Sequence, residues 1–257
     1  MFHTQDQPAS QGSSRRTFLR ATAAGTVGLA LAGQSQAHAA TKSANAPPAW
    51  FDQDKFGIFV HWNAAAIPAY APVHTADLDA ALSPDAPKWR QEQQWRLLPY
   101  AEMYQNTMNV PGSETARFHR ERYPGTSYDD FVAQFRDRSL AGWNPRPWAD
   151  LFAKSGAKYV VVTTKTEDGF LLWPSKNPNP HKRNWQAKRD VLGEFATAVR
   201  RKGMRFGTYY STGMDWTFGG LPIVDNESFA AALVSVDLDY TGKHWQELID
   251  RYQPSVL

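Results

Sequence analysis

Residues 48–257 predict an α/β fold built around a parallel sheet; two observations carry that prediction, and a third argues against a nucleotide site. Short apolar, β-branched runs alternate with amphipathic helical stretches. The connections after the strands are long and those after the helices are short. No glycine-rich turn follows the first strand to cradle a nucleotide. Long βα loops and short αβ loops favour a (β/α)8 TIM-like barrel, whose active site is built from the βα loops. A doubly wound sheet is the alternative.

The elements follow in order. Residues 41–48 are small, polar and proline-bearing, a linker into the domain. Residues 56–62 (Phe-Gly-Ile-Phe-Val-His-Trp) are long enough for a buried strand and too short for a helix. Residues 63–127 hold many turn formers and no sustained period, with a short helix expected around 100–104. Phe131 and Phe135 lie one helical turn apart in 128–139. Asn144-Pro145 opens a helix with Trp148, Leu151 and Phe152 on one face, ending near Gly156. Residues 158–165 form a β-branched strand, followed by a long loop to about Lys188. The next helix points Val191, Leu192, Phe195 and Val199 inward and stops at Gly203. Residues 205–211 are a strand, and a last helix carries Trp245, Leu248, Ile249 and Tyr252. Pro254 closes that helix, and 255–257 read as the opening of another strand.

Residues 1–39 read as an address and not as fold. Ser14-Arg15-Arg16-Thr17-Phe18-Leu19 precedes a small, apolar run from Ala21 to Gly33 and then Ala37-His38-Ala39. A charged region, a short apolar region and a small-x-small site in that order make a signal peptide, cleaved after Ala39 and too short to span a bilayer stably. The arginine pair resembles the twin-arginine signal, so the expected location is periplasmic or secreted. Residues 40–257 are then the mature domain. The formal charge of the 257-residue chain is +3, and Arg15, Arg16 and Arg20 against Asp6 supply most of it. A near-neutral mature chain has no electrostatic footprint for nucleic acid. There is no cysteine, which excludes disulfides, thiolate metal sites and a cysteine nucleophile. The histidines are scattered without metal-ligand spacing, so neither a metal nor a cofactor is expected. Aromatic residues make up 13% of the chain. That load suits sugar-binding clefts, since pyranose rings stack on flat π surfaces, and it equally suits a well-filled core.

Three blocks resemble the catalytic barrel of the α-L-fucosidases, glycoside hydrolase family 29. The first is Trp50-Phe51 with Lys55-Phe56-Gly57-Ile58-Phe59-Val60-His61-Trp62. The second is Trp148-Ala149-Asp150-Leu151-Phe152, then residues 156–165, then Asp168-Gly169-Phe170. The third is Lys188-Arg189-Asp190, then residues 205–211 and Asp215-Trp216. The resemblance implies retaining hydrolysis of terminal α-L-fucosyl linkages in a fucosylated or related glycan. That chemistry needs a nucleophilic Asp and a second carboxyl group about 5–5.5 Å away. By motif, His61 and Glu102 would hydrogen-bond sugar hydroxyls and Tyr209 would line the sugar subsite. Thr166 and Glu167 stand where the family carries two adjacent histidines, and Met103 where it carries a tryptophan. A carboxylate in place of imidazole changes hydrogen-bond type and charge, which bears on sugar specificity. The family nucleophile follows a strand that begins like Pro254-Ser255-Val256-Leu257, so the resemblance implies a nucleophile and an acid/base beyond Leu257. On that basis the chain is an incomplete (β/α)8 TIM-like barrel with about three strands and the start of a fourth.

From the residues alone, Glu167 and Asp215 are the tempting carboxylate pair, since both follow barrel strands; the resemblance places the nucleophile one strand later. Asp168 before Gly169 reads as a loop-shaping residue, and Tyr209 and Tyr210 point to opposite sides of a strand. The competing readings are a sugar-binding pseudoenzyme and an inactive fragment. Oligomeric state is not legible.

Overall fold

The computed structural model describes residues 47–73, 83, 85–233 and 235–257. The signal peptide of 1–39 and most of the linker of 41–48 lie outside these described residues. Helix α1 (Ala49–Asp54) leads into strand β1 (Gly57–Val60). The first long connection carries α2 (Lys88–Arg96), a 3-10 turn (Ala101–Met103), α3 (Tyr104–Thr107), α4 (Glu114–Arg122) and α5 (Tyr128–Gln134). A π turn (Phe135–Ser139) extends α5, and α6 (Pro145–Lys154) returns the chain to β2 (Tyr159–Lys165). Helix α7 (Val191–Arg201), strand β3 (Arg205–Tyr210), and helices α8 (Asn226–Leu233) and α9 (Leu238–Tyr252) complete the order. No helix among the described residues is long and apolar enough to cross a membrane.

The sheet is parallel in the order β1-β2-β3. Residues 255–256 begin a fourth position beside β3: Ser255 N donates to Phe206 O at 2.7 Å and Thr208 N to Val256 O at 2.9 Å. Gly207 is required there, because a Cβ on it would meet Val256 Cγ1 at 2.5 Å and Val161 Cγ2 at 3.0 Å. Side chains alternate across the sheet. Val160, Val162 and Phe206 face the helices and are fully buried against Leu192, Phe195 and Val199 of α7. Phe195 gathers Trp143, Trp148, Phe152 and Phe206 around it at ring separations of 5.4–6.3 Å. The opposite face presents Phe59 and Tyr209, both exposed.

Local chemistry starts and stops the helices where the sequence marks them. Asn144 caps α6 through Arg146 N at 3.0 Å with Pro145 in the first turn, and Asp190 caps α7 through Gly193 N at 3.0 Å. Ser127 and Asp130 form a reciprocal capping box on α5.

Three expectations about packing are corrected. Leu151 on α6 is 63% exposed, and the buried stripe runs through Trp148, Ala149 and Phe152 instead. Trp245 and Ile249 on α9 are 40% and 46% exposed, while Leu248 and Tyr252 are buried. In both helices the apolar stripe is wider than the surface it meets, so its flank stays in solvent. The first strand is shorter than expected and ends at Val60, which leaves His61 and Trp62 at its mouth.

Candidate functional site

The C-terminal ends of the three strands converge on a band of polar and aromatic side chains. His61 and Phe59 share a face of β1, two residues apart, with ring centroids 4.3 Å apart. Phe59 in turn packs on Tyr209 of β3 at 5.5 Å. Glu102 closes one end, its Oε1 3.5 Å from His61 Nδ1. Glu167 closes the other, its Oε1 accepting a hydrogen bond from Ser211 Oγ at 3.0 Å. Partial burial, then the charge of Glu167 and more weakly that of Glu102, hold the Tyr209 hydroxyl above its ordinary pKa, with the Ser211 hydrogen bond opposing them. The phenol therefore feels the charge of both carboxylates.

A buried layer supports this band. The β2–β3 register slips between Thr163 and Lys165, a bulge that turns Lys165 toward Tyr210. Lys165 Nζ donates to Ser211 O at 2.8 Å and Met214 O at 3.2 Å, and lies 3.3 Å from Asp215 Oδ2. The last contact is an ion pair without hydrogen-bond alignment, since Asp215 Oδ2 makes no hydrogen bond. Asp215 Oδ1 accepts from Thr217 N at 3.0 Å and Thr217 Oγ1 at 2.6 Å. Tyr210, on the far side of β3 from Tyr209, bonds His244 Nδ1 at 2.8 Å. His244 Nε2 faces Asn177 O at 2.7 Å and must carry the proton, because a carbonyl only accepts.

Asp168 belongs to the same layer. It is fully buried and accepts from Phe170 N and Thr166 Oγ1 at 3.0 Å each through Oδ1, and from Tyr128 Oη at 3.0 Å through Oδ2. Burial outweighs those donors and pushes its carboxyl up to about 6. A carboxyl raised on folding gives stability that is complete below its unfolded pKa, about 3.9, and is lost as pH rises through the folded value. Asp168→Asn keeps the Oδ1 contacts and removes the charge. Relative to that variant, the wild type should gain roughly 2–3 kcal/mol between pH 7 and pH 4. Urea unfolding of both proteins at the two pH values measures this, and an unchanged difference would refute the assignment.

Glu102 lies in the turn Ala101–Met103, in a βα loop that is tied to a second one. Asn106, fully buried, takes Ile223 N on its Oδ1 at 2.7 Å and gives its Nδ2 to Ile223 O at 3.2 Å. Trp95, Leu98, Ile223 and Ala232 form a small core between α2 and α8, with Met103 and Phe229 packed against it. Lys88 pairs with Asp225 at 3.2 Å, and Asn226 N donates to Gln91 Oε1 at 3.0 Å. The loop after β1 is thereby clasped to the loop after β3.

The structure brings together four of the five expected site residues: His61, Glu102, Glu167 and Tyr209. It places the fifth, Thr166, beneath them. Thr166 is buried, with its hydroxyl accepting from Asn63 Nδ2 at 2.9 Å and donating to Asp168. Sequence reasoning passed over Phe59 and Ser211. Phe59 shares the strand parity of His61, and Ser211 follows β3 with the parity of Tyr209, so strand alternation was the available signal. Among the described residues no group of three or more His, Asp or Glu side chains could hold a metal ion. A cavity of about 920 Å³ lies on the outer flank between α6 and α7, lined by Trp143, Arg146, Arg189 and Glu194, away from the strand ends.

Parallel βα units with long loops, and acids, imidazole and aromatics gathered at the C-terminal ends of the strands, are the arrangement on which α/β barrels build their sites. Comparison with known proteins narrows the class. The alpha-L-fucosidase family model matches residues 27–257, and the chain belongs to that family of glycoside hydrolases. It is 34% identical over 216 residues to the tissue alpha-L-fucosidase of Macaca fascicularis, covering 82% of this chain and 38% of that protein. It is 33% identical over 217 residues to the human plasma alpha-L-fucosidase, with the same two coverages. It thus spans 38% of the length of these curated relatives. Among solved structures, the Thermotoga maritima alpha-fucosidase with a mechanism-based inhibitor is 35% identical with a TM-score of 0.66, over 81% of this chain and 45% of that one. The same enzyme in complex with fucose is 37% identical with a TM-score of 0.65, over 80% and 45%.

Proposed function

We propose that these residues form the sugar-recognition part of a retaining α-L-fucosidase acting on terminal α-L-fucosyl linkages. The observation that carries this reading is the band itself: an aromatic surface of Phe59 and Tyr209 flanked by His61–Glu102 and by Glu167. A 6-deoxy sugar offers an apolar ring edge to the aromatics and hydroxyl donors to the carboxylates. His61, Glu102, Glu167 and Tyr209 are the contacting residues, and Thr166 holds Asp168 and Asn63 in place below them. The substrate is a fucosylated or related glycan, and residues 1–39 serve as the twin-arginine export signal.

The nucleophile and the acid/base belong to residues outside 47–257. The burial of Asp168 and Asp215 supports this, because neither carboxylate can reach an anomeric carbon while enclosed and partnered. That same burial favours a second reading of the chain by itself, a sugar-binding protein without turnover. In the test, L-fucose is titrated into the purified chain by calorimetry or saturation-transfer NMR. We expect binding that His61→Ala weakens roughly tenfold, the loss of one hydrogen bond, with little change in Tm because His61 is exposed. Absence of L-fucose binding would refute the proposal. Sustained release of 4-nitrophenol from its α-L-fucoside, abolished by Asp215→Asn, would place the nucleophile at Asp215 instead.

A further inference from the structure

Glu167 is fixed at its backbone and half committed at its side chain. Its carbonyl accepts Trp216 N at 2.8 Å, and its Oε1 accepts Ser211 Oγ at 3.0 Å, while Ser211 N is anchored on Lys165 O at 3.0 Å. Among the described residues no other hydrogen bond or ion pair of this side chain is found. The other carboxylate oxygen is thus left without a hydrogen bond among the described residues, and the charge of Glu167 acts on the hydroxyl of Tyr209. Glu102 stands at the opposite end beside His61. Lys165, the lysine at these strand ends, is buried with its ammonium committed to Asp215, Ser211 O and Met214 O. Its charge is thereby withdrawn from the band, which presents two carboxylates and a phenol.

We infer that Glu167 is a specificity-determining residue that admits glycones bringing hydrogen-bond donors or a positive charge to its end of the band, and refuses anionic ones. The favoured class is a neutral or amino-substituted deoxy sugar; the refused class is a sulfated sugar or a uronic acid. The inference rests on the proposed sugar-binding function and adds a charge preference to it. A carboxylate accepts hydrogen bonds and cannot donate, so a hydroxyl or ammonium completes its open oxygen while a sulfate faces it with like charge. The side chain is partly exposed, so the preference is of surface magnitude and weakens with salt.

The experiment titrates the full chain with four sugars at low ionic strength and pH 6: L-fucose, its 2-amino-2-deoxy and 4-amino-4-deoxy analogues, and L-fucose 4-sulfate. We expect at least one amino sugar to bind about fivefold tighter than L-fucose and the sulfate at least about fivefold weaker. Glu167→Gln should bring both ratios close to one while weakening L-fucose only about threefold. Glu102→Gln should act in the same direction, and in the wild type both ratios should shrink as salt is raised. These two arms carry the test if Glu167→Gln fails to fold. Ratios that Glu167→Gln leaves unchanged, or a sulfate that binds better than L-fucose, would overturn the inference and leave the function standing. A chain that binds none of the four sugars would overturn both.

Discussion

Lys165→Met should cost the protein about 3–5 kcal/mol, the penalty for leaving one member of a buried ion pair without its partner. Lys165 and Asp215 are 1% and 0% exposed at their side chains, and Asp215 Oδ2 has no hydrogen bond to fall back on. The variant also removes the donor to Ser211 O and Met214 O, which loosens the segment that aims Glu167. A fall in Tm on the order of 10 °C is the expected readout for a domain of this size. Removing the charge from the other side should restore much of it: Lys165→Met/Asp215→Asn keeps the Oδ1 contacts to Thr217 and buries no ion. A double variant no more stable than the single one would show that the loss comes from packing and not from an orphaned charge.

Gly169→Ala should cost about 2–4 kcal/mol, and its size can be separated into two causes. Gly169 has φ +74°, where a side chain is strained by about 1–2 kcal/mol. Its Cβ would also stand 2.5 Å from Asp215 Oδ1 and 2.8 Å from Thr217 Cγ2, pressing on the same carboxylate that Lys165 holds. Gly203 is the control, because it has the same φ of +74° and its Cβ would meet nothing within 4 Å. Gly203→Ala therefore carries the backbone cost alone. Equal losses in the two variants would remove the Asp215 contact from the account.

What the sequence made legible follows from how local each feature is. Strands β2 and β3 and helix α7 were readable because their signals lie within a dozen residues: β-branched runs, the Asp190 cap, the stripe Val191–Leu192–Phe195–Val199 and the Gly203 stop. Helix α2 was not, since Lys-Trp-Arg-Gln-Glu-Gln-Gln-Trp-Arg offers only Trp95 to a core, and that core is supplied by α8 more than a hundred residues later. The exposure of Leu151, Trp245 and Ile249 shows the complementary limit, that an apolar stripe states what a helix could bury and not what it meets. At the site, His61, Glu102 and Tyr209 were legible through family resemblance, since a histidine beside a tryptophan reads by itself as a core residue. The burial of Thr166 and the Lys165–Asp215 pair depend on a bulge and on partners from distant segments, which no local pattern encodes.

The clasp between Asn106 and Ile223 bears on how such a protein could be re-engineered. In a barrel scaffold each βα loop is usually treated as an interchangeable module that can be grafted separately. Here residues 85–110 and 213–233 form a single unit, because Asn106 satisfies both backbone groups of a residue on the other loop. A graft that swaps only the first segment strands the amide and carbonyl of Ile223, a fully buried residue, without their partner. Diversity at this rim is therefore gained in pairs, and a library that randomises the two loops together will sample viable sequences that one randomising either alone will miss.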